Sequence, residues 1–171
     1  MTIIAALTLG ATALLADVNE PFVAWMSFTL AGAVAGFLFF NFHPARVFLG
    51  TTGVTFLGTM LAVLSIFGTG KLTTALLVLA VPIVDTFYVL IRRVLQGRPP
   101  FAPDRGHLHH LLLDLGLTHT QSVLLIYALT CGLAAMTFVT TGTAQLATFG
   151  GFALLLGIVV MLLSLRRPEQ A

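Results

Sequence analysis

Ala144–Leu165 reads AQLATFGGFALLLGIVVMLLSL, with no charged side chain anywhere in it. A helix rises about 1.5 Å per residue, so about 20 such residues cross a hydrocarbon core of roughly 30 Å. Working outward from this stretch, the charges divide the rest of the chain into apolar runs at 122–140, 72–91, 47–67, 22–40 and 2–16. All but one reach spanning length or nearly so. Residues 2–16 offer only about 15 residues, roughly 22 Å. The sequence therefore predicts an all-α fold: a polytopic transmembrane bundle of about six spans, forming one membrane domain over residues 1–171.

Composition agrees. Of 171 residues, 58% are hydrophobic and 8% charged, whereas a soluble domain needs about a quarter charged to cover its surface. A soluble enzyme is excluded, and so is a disordered chain, which could not carry so much apolar surface. The single Cys131 excludes a disulfide framework and a Cys-based zinc site. A net charge of +2 gives no reason to expect a nucleic-acid partner.

The short first run has three readings. A signal peptide would need a basic start and small residues before the cut, yet no Lys or Arg precedes the run and Leu14 occupies a small-residue position. A thin or tilted span is the second. In the third, Met1 lies inside a longer helix and the chain is the back half of something larger.

Basic residues stay on the cytoplasmic side of a membrane. With six spans, Arg46, Arg92, Arg93, Arg98, Arg105, Arg166 and Arg167 all share one face, opposite Asp17, Glu20 and Lys71. Both termini and the segments 41–52 and 92–121 are thus expected in the cytosol. Gly32 and Gly36 suit close packing inside the bundle.

Polar chemistry should concentrate in those two segments and at any charge inside a span. In the longer one, Pro99, Pro100 and Pro103 deny a regular helix, and Leu108 to Leu117 can lay a short helix in the interface. On a helix, Asp104, His107, His110 and Asp114 share a face, while His109 points away towards Arg105. Clustered imidazoles beside arginines suit anionic phosphate groups. The arginines alone suit a basic loop drawn to anionic lipid, and two His with a carboxylate could hold zinc. Asp85 stands seven residues before Arg92, roughly 10 Å inside the membrane end of its span. A carboxylate there is costly, so a function or pairing with an Arg is expected. Pro82 can kink the helix beside it. In the shorter segment, Asn41, His43 and Arg46 sit at the mouth of two spans, and a well-capped loop accounts for them.

NFHPAR at 41–46, FLG at 48–50, PIVDT at 82–86 and GRPPFAPDRGHLHHLLLDLGL at 97–117 together resemble the polyprenyl-phosphate N-acetylhexosamine-1-phosphate transferases. The peptidoglycan translocase is a relative of these enzymes. The resemblance implies a multi-pass protein of the bacterial inner membrane that moves N-acetylhexosamine-1-phosphate from a UDP-sugar to undecaprenyl phosphate, releasing UMP, in cell-wall or surface-polysaccharide assembly. It implies Mg²⁺ held between acidic side chains, and substrate binding by Arg105, His107, His109, His110, Asn41 and His43; it assigns no catalytic residue, and only the place of Asp85 inside a span makes that residue a candidate.

Two departures qualify it. The family's loop reads GD[ST]GS, its Asp a magnesium ligand; here Gly50-Thr51-Thr52-Gly53-Val54 places Thr51 at that position and Val54 at the Ser. The family's paired-Asp and Asn/Asp-rich motifs have no counterpart in the chain. The resemblance therefore implies the back half of a transferase, inactive alone. The alternative is a non-catalytic subunit binding UDP-sugar or lipid phosphate and pairing with a separate front half. A pore or transporter is weakly indicated, because only Asp85 lies well inside a span.

Overall fold

Small side chains decide how closely the first helices approach. In the computed structural model, which describes residues 1–15, 19–42, 44–67, 71–97, 99 and 106–165, α1 (Thr2–Ala13) lies along α2 (Pro21–Asn41). A Cβ on Gly10 would sit 2.9 Å from the Phe28 ring, so any larger residue there would force that ring to shift. Ala5, Ala6, Leu9 and Ala13 meet Val23, Ala24 and Ala31 there. Thr8 and Thr12 donate to the carbonyls of Ile4 and Thr8 at 2.8 and 2.9 Å, so their buried hydroxyls need no external partner.

The remaining helices are α3 (Gly50–Ile66), α4 (Lys71–Val78), α5 (Ala80–Leu95), α6 (Leu108–Asp114), α7 (His119–Met136) and α8 (Thr143–Leu165). The protein is all-helical among the described residues, and each predicted apolar run carries a helix. Their lengths differ from expectation. Among the described residues three helices are long and apolar enough to cross a membrane, Pro21–Asn41, His119–Met136 and Thr143–Ser164; α4 and α5 make a fourth if taken as one bent span. α1 and α3 are apolar but shorter.

The bend is 71°. Pro82 has no N–H for the carbonyl of Val78, and its ring crowds that carbonyl, which is where α4 stops. Around the break, Leu79 N–H still reaches Ala75 O at 2.9 Å and Ile83 N–H reaches Leu79 O at 3.1 Å.

Specific polar contacts tie the second half together. The Tyr88 hydroxyl of α5 donates to Ser164 Oγ of α8 at 2.8 Å, and Ser164 donates onward to Met161 O at 2.8 Å. Gln145, 5% exposed, donates to the carbonyls of Thr137 and Thr140 at 3.2 and 2.8 Å and so closes the turn between α7 and α8. α7 begins before the apolar run because Thr118 and Gln121 form a reciprocal capping box. Leu108, Leu111 and Leu112 of α6, at helical spacing, are buried with Val81, Leu133, Leu156 and Val160. These α6 leucines face the bundle rather than an interface.

Candidate functional site

Asp85 lies on α5 and is 16% exposed. Its carboxylate is fully engaged. Oδ1 accepts the Leu108 N–H at 2.7 Å, and Oδ2 lies 3.0 Å from Nδ1 of His107. Among the described residues its partners are thus a histidine and a helix start. His107 is the N-cap of α6, extended at φ −65° and ψ 147°, and its side chain does not cap its own helix. Asp85 does so from α5, satisfying a donor that the first turn cannot satisfy internally.

Because α6 begins at Leu108, His107 is off the helical wheel. That corrects the expected stripe. His109 does not point away from its neighbours: its ring is stacked on His107 at 6.1 Å between centroids and lies 4.0 Å from His110. Three imidazoles thus lie in sequence beside the largely enclosed carboxylate, His109 between the other two. His119, at the start of α7, is close enough to oppose protonation of His109, and sequence spacing had no way to place it with the others. Nearby, buried Arg93 donates from Nη1 to Pro99 O at 2.8 Å, folding α5's end back on the following segment.

Partial burial, then the charge of His110, holds His109 below the usual histidine range, and Asp85 opposes this. The ring is therefore neutral at pH 7. A histidine whose folded pKa is depressed takes up its proton first in the unfolded chain, so stability rises with pH across the interval below about 6.5. Melting temperature is expected to fall as pH drops from 7 to 5.5, and His109→Gln should flatten that slope. A slope unchanged in the variant sinks the assignment.

The other predicted residues are placed differently. Asn41 donates from Nδ2 to Val47 O at 2.8 Å, and the Arg46 and Val47 N–H groups reach Phe40 O at 2.9 and 3.3 Å, so Asn41 closes its own loop. Phe39, Phe40, Phe42, Pro44 and Arg46 line an open concavity of about 540 Å³ beside it, which the sequence did not suggest. Thr51 is exposed in the first turn of α3. α6 packs on α7 and α8 and makes no comparable contact with α2 or α3. Hence Asp85, His107, His109 and His110 come together, while Asn41 and Thr51 belong to a separate region. Arg105, His43, Arg98, Asp104, Asp17, Arg166 and Arg167 lie outside the described residues.

A metal site does not emerge from these groups. Among the described residues no three His, Cys, Asp or Glu side chains converge on one point. Asp85 is already engaged twice, and Thr51 offers a neutral oxygen where Mg²⁺ prefers carboxylate. The described residues do not fit magnesium by themselves.

Fold and cluster together define an integral membrane protein with a row of imidazoles anchored by a buried carboxylate. Residues 1–69 match the profile of glycosyl transferase family 4. The chain is 44% identical over 108 residues to a probable undecaprenyl-phosphate N-acetylglucosaminyl 1-phosphate transferase of Bacillus subtilis, covering 60% of this chain and 30% of the relative. It is 39% identical over 171 residues to a decaprenyl-phosphate N-acetylglucosaminephosphotransferase of Mycolicibacterium smegmatis, covering 86% and 42%. An undecaprenyl-phosphate alpha-N-acetylglucosaminyl 1-phosphate transferase of Pasteurella multocida is 35% identical over 119 residues, covering 63% and 33%. No solved structure matches. The match to glycosyl transferase family 4 covers residues 1–69 of the 171, and the chain spans less than half the length of these relatives.

Proposed function

We propose that this chain forms the sugar-nucleotide-gripping part of a membrane transferase that moves N-acetylglucosamine-1-phosphate from its UDP carrier to undecaprenyl phosphate. The observation that carries the reading is the row His107–His109–His110, anchored on Asp85, in a chain whose relatives are named for that transfer. Phosphoryl transfer asks a protein mainly for positioning and for charge stabilisation. Imidazole N–H groups can supply donors to a diphosphate, and the arginines of residues 92–105 supply fixed charge. A UDP-sugar is a cytosolic substrate, which agrees with the arginine-rich face being cytoplasmic.

Magnesium enters this reading as the family's charge-neutralising ion. With Thr51 at its carboxylate position and no acidic cluster among the described residues, this chain does not turn over by itself, and catalysis requires acids from elsewhere.

Binding of UDP-N-acetylglucosamine to the chain in lipid nanodiscs tests the proposal. Each lost hydrogen bond to a charged ligand costs about 1.5 kcal/mol, roughly tenfold in affinity. His109→Ala and His110→Ala are each expected to weaken binding by about that factor. Equal affinity in all three proteins overturns the site, and UMP release by the purified chain overturns the claim that it is inactive alone.

A further inference from the structure

Asp85 makes two contacts at once, and together they fix more than a helix end. An ionised carboxylate only accepts hydrogen bonds. With Oδ2 at 3.0 Å from Nδ1 of His107, the hydrogen of the neutral ring must sit on Nδ1, leaving Nε2 as a bare lone pair. With Oδ1 at 2.7 Å from the Leu108 nitrogen, the same side chain fixes the backbone immediately after that ring. His107 is about one-third exposed while Asp85 is largely enclosed, so the ring is held from its buried side and remains reachable by a ligand.

We infer that Asp85 is a positioning residue. It selects the Nδ1–H tautomer of His107, so that Nε2 accepts a hydrogen bond from a hydroxyl or amide N–H of the bound sugar nucleotide. His107 thereby differs from its neighbours: it recognises a donor on the ligand, whereas His109 and His110 face the diphosphate. This assignment rests on the proposal that the cluster receives a UDP-sugar. The tautomer, however, is a property of the unliganded chain.

Asp85→Asn separates the two functions of the carboxylate. The Asn oxygen still accepts the Leu108 N–H, so α6 keeps its start. The Asn amide now donates to Nδ1, which moves the ring hydrogen to Nε2 and sets donor against donor at the ligand. Nitrogen-15 NMR of the imidazoles, with His107 assigned by its loss in His107→Asn, is expected to report the Nδ1–H form in the natural chain and the Nε2–H form in Asp85→Asn. The melting temperature should stay within a few degrees, and UDP-N-acetylglucosamine should bind about tenfold more weakly.

His107→Asn is the second variant. Its amide can still donate to Asp85 but places no atom where Nε2 stood, so it should fold and lose affinity to a similar degree. An unchanged tautomer in Asp85→Asn, or full affinity in either variant, overturns the inference. A natural chain that shows the Nδ1–H form but binds no UDP-N-acetylglucosamine overturns the functional reading instead, and leaves the role of Asp85 in fixing the tautomer standing.

Discussion

Asp85→Ala is expected to destabilise the chain by about 2 kcal/mol and to abolish most sugar-nucleotide binding, far beyond the effect of Asp85→Asn. The truncation removes both acceptors. The first N–H of α6 then faces the bundle without a partner, and His107 loses the group that orients it. Hydrogen bonds to a charged group contribute about 1.5–3 kcal/mol each. His107 is about one-third exposed, and water replaces much of its share, which brings the sum to about 2 kcal/mol. The loss is local first. α6 is a single short helix held by Leu108, Leu111 and Leu112, so its start frays and the three rings lose their alignment. Binding of UDP-N-acetylglucosamine should fall by about a hundredfold, which corresponds to about 2.7 kcal/mol. Thermal unfolding and ligand binding measured on Ala and Asn variants side by side decide the matter. If the two behave alike, the carboxylate is not the anchor of α6.

The comparison of Asp85 with His107 also indicates what could be read in one dimension. Every apolar run became a helix because length and hydrophobicity are local properties, and Pro82 marked the break between α4 and α5 because its missing N–H is local too. Asp85 and the histidine row were each conspicuous in the sequence, one as a charge in a span and the other as a cluster. Their pairing was not legible, since they are 22 residues apart on different helices and many arginines offered competing partners.

The direction of His109 failed for a related reason. A helical wheel started at Asp104 puts His107 and His110 on one face, but the helix starts at Leu108, and its extended N-cap lets the His107 ring stack on His109, which in turn lies against His110 at a tilt. Asn41 is the simpler case. The residues alone were accounted for by a well-capped loop, and its amide bridges to Val47 within that loop. Local chemistry is visible in a sequence, whereas the choice among several compatible partners is made only by packing.

Thr51→Asp is expected to make sugar-nucleotide binding depend on magnesium, and the natural chain is expected to show no such dependence. Thr51 is exposed in the first turn of α3, where no acidic residue stands and the N-cap Leu49 makes no side-chain cap. A carboxylate there meets the positive end of the helix dipole and should stabilise α3 by about 0.3–1 kcal/mol, so the variant folds. The Thr55 hydroxyl bond to the Thr51 carbonyl is untouched, since it uses the backbone. Magnesium is commonly held by one or two carboxylates completed by substrate phosphates. A single new acid can therefore act where a hydroxyl cannot, on the condition that the diphosphate held by the row on α6 also reaches the start of α3. In the natural chain, affinity for the sugar nucleotide should be the same in millimolar Mg²⁺ and in chelator. In Thr51→Asp, Mg²⁺ should tighten it by about tenfold, or about 1.4 kcal/mol, while Thr51→Asn, neutral and of similar size, should behave like the natural chain. Magnesium-dependent binding by the natural chain would show that acids already converge on the ligand without residue 51. A flat response in Thr51→Asp would separate α3 from the sugar-nucleotide site, leaving the row on α6 as a binding surface in its own right.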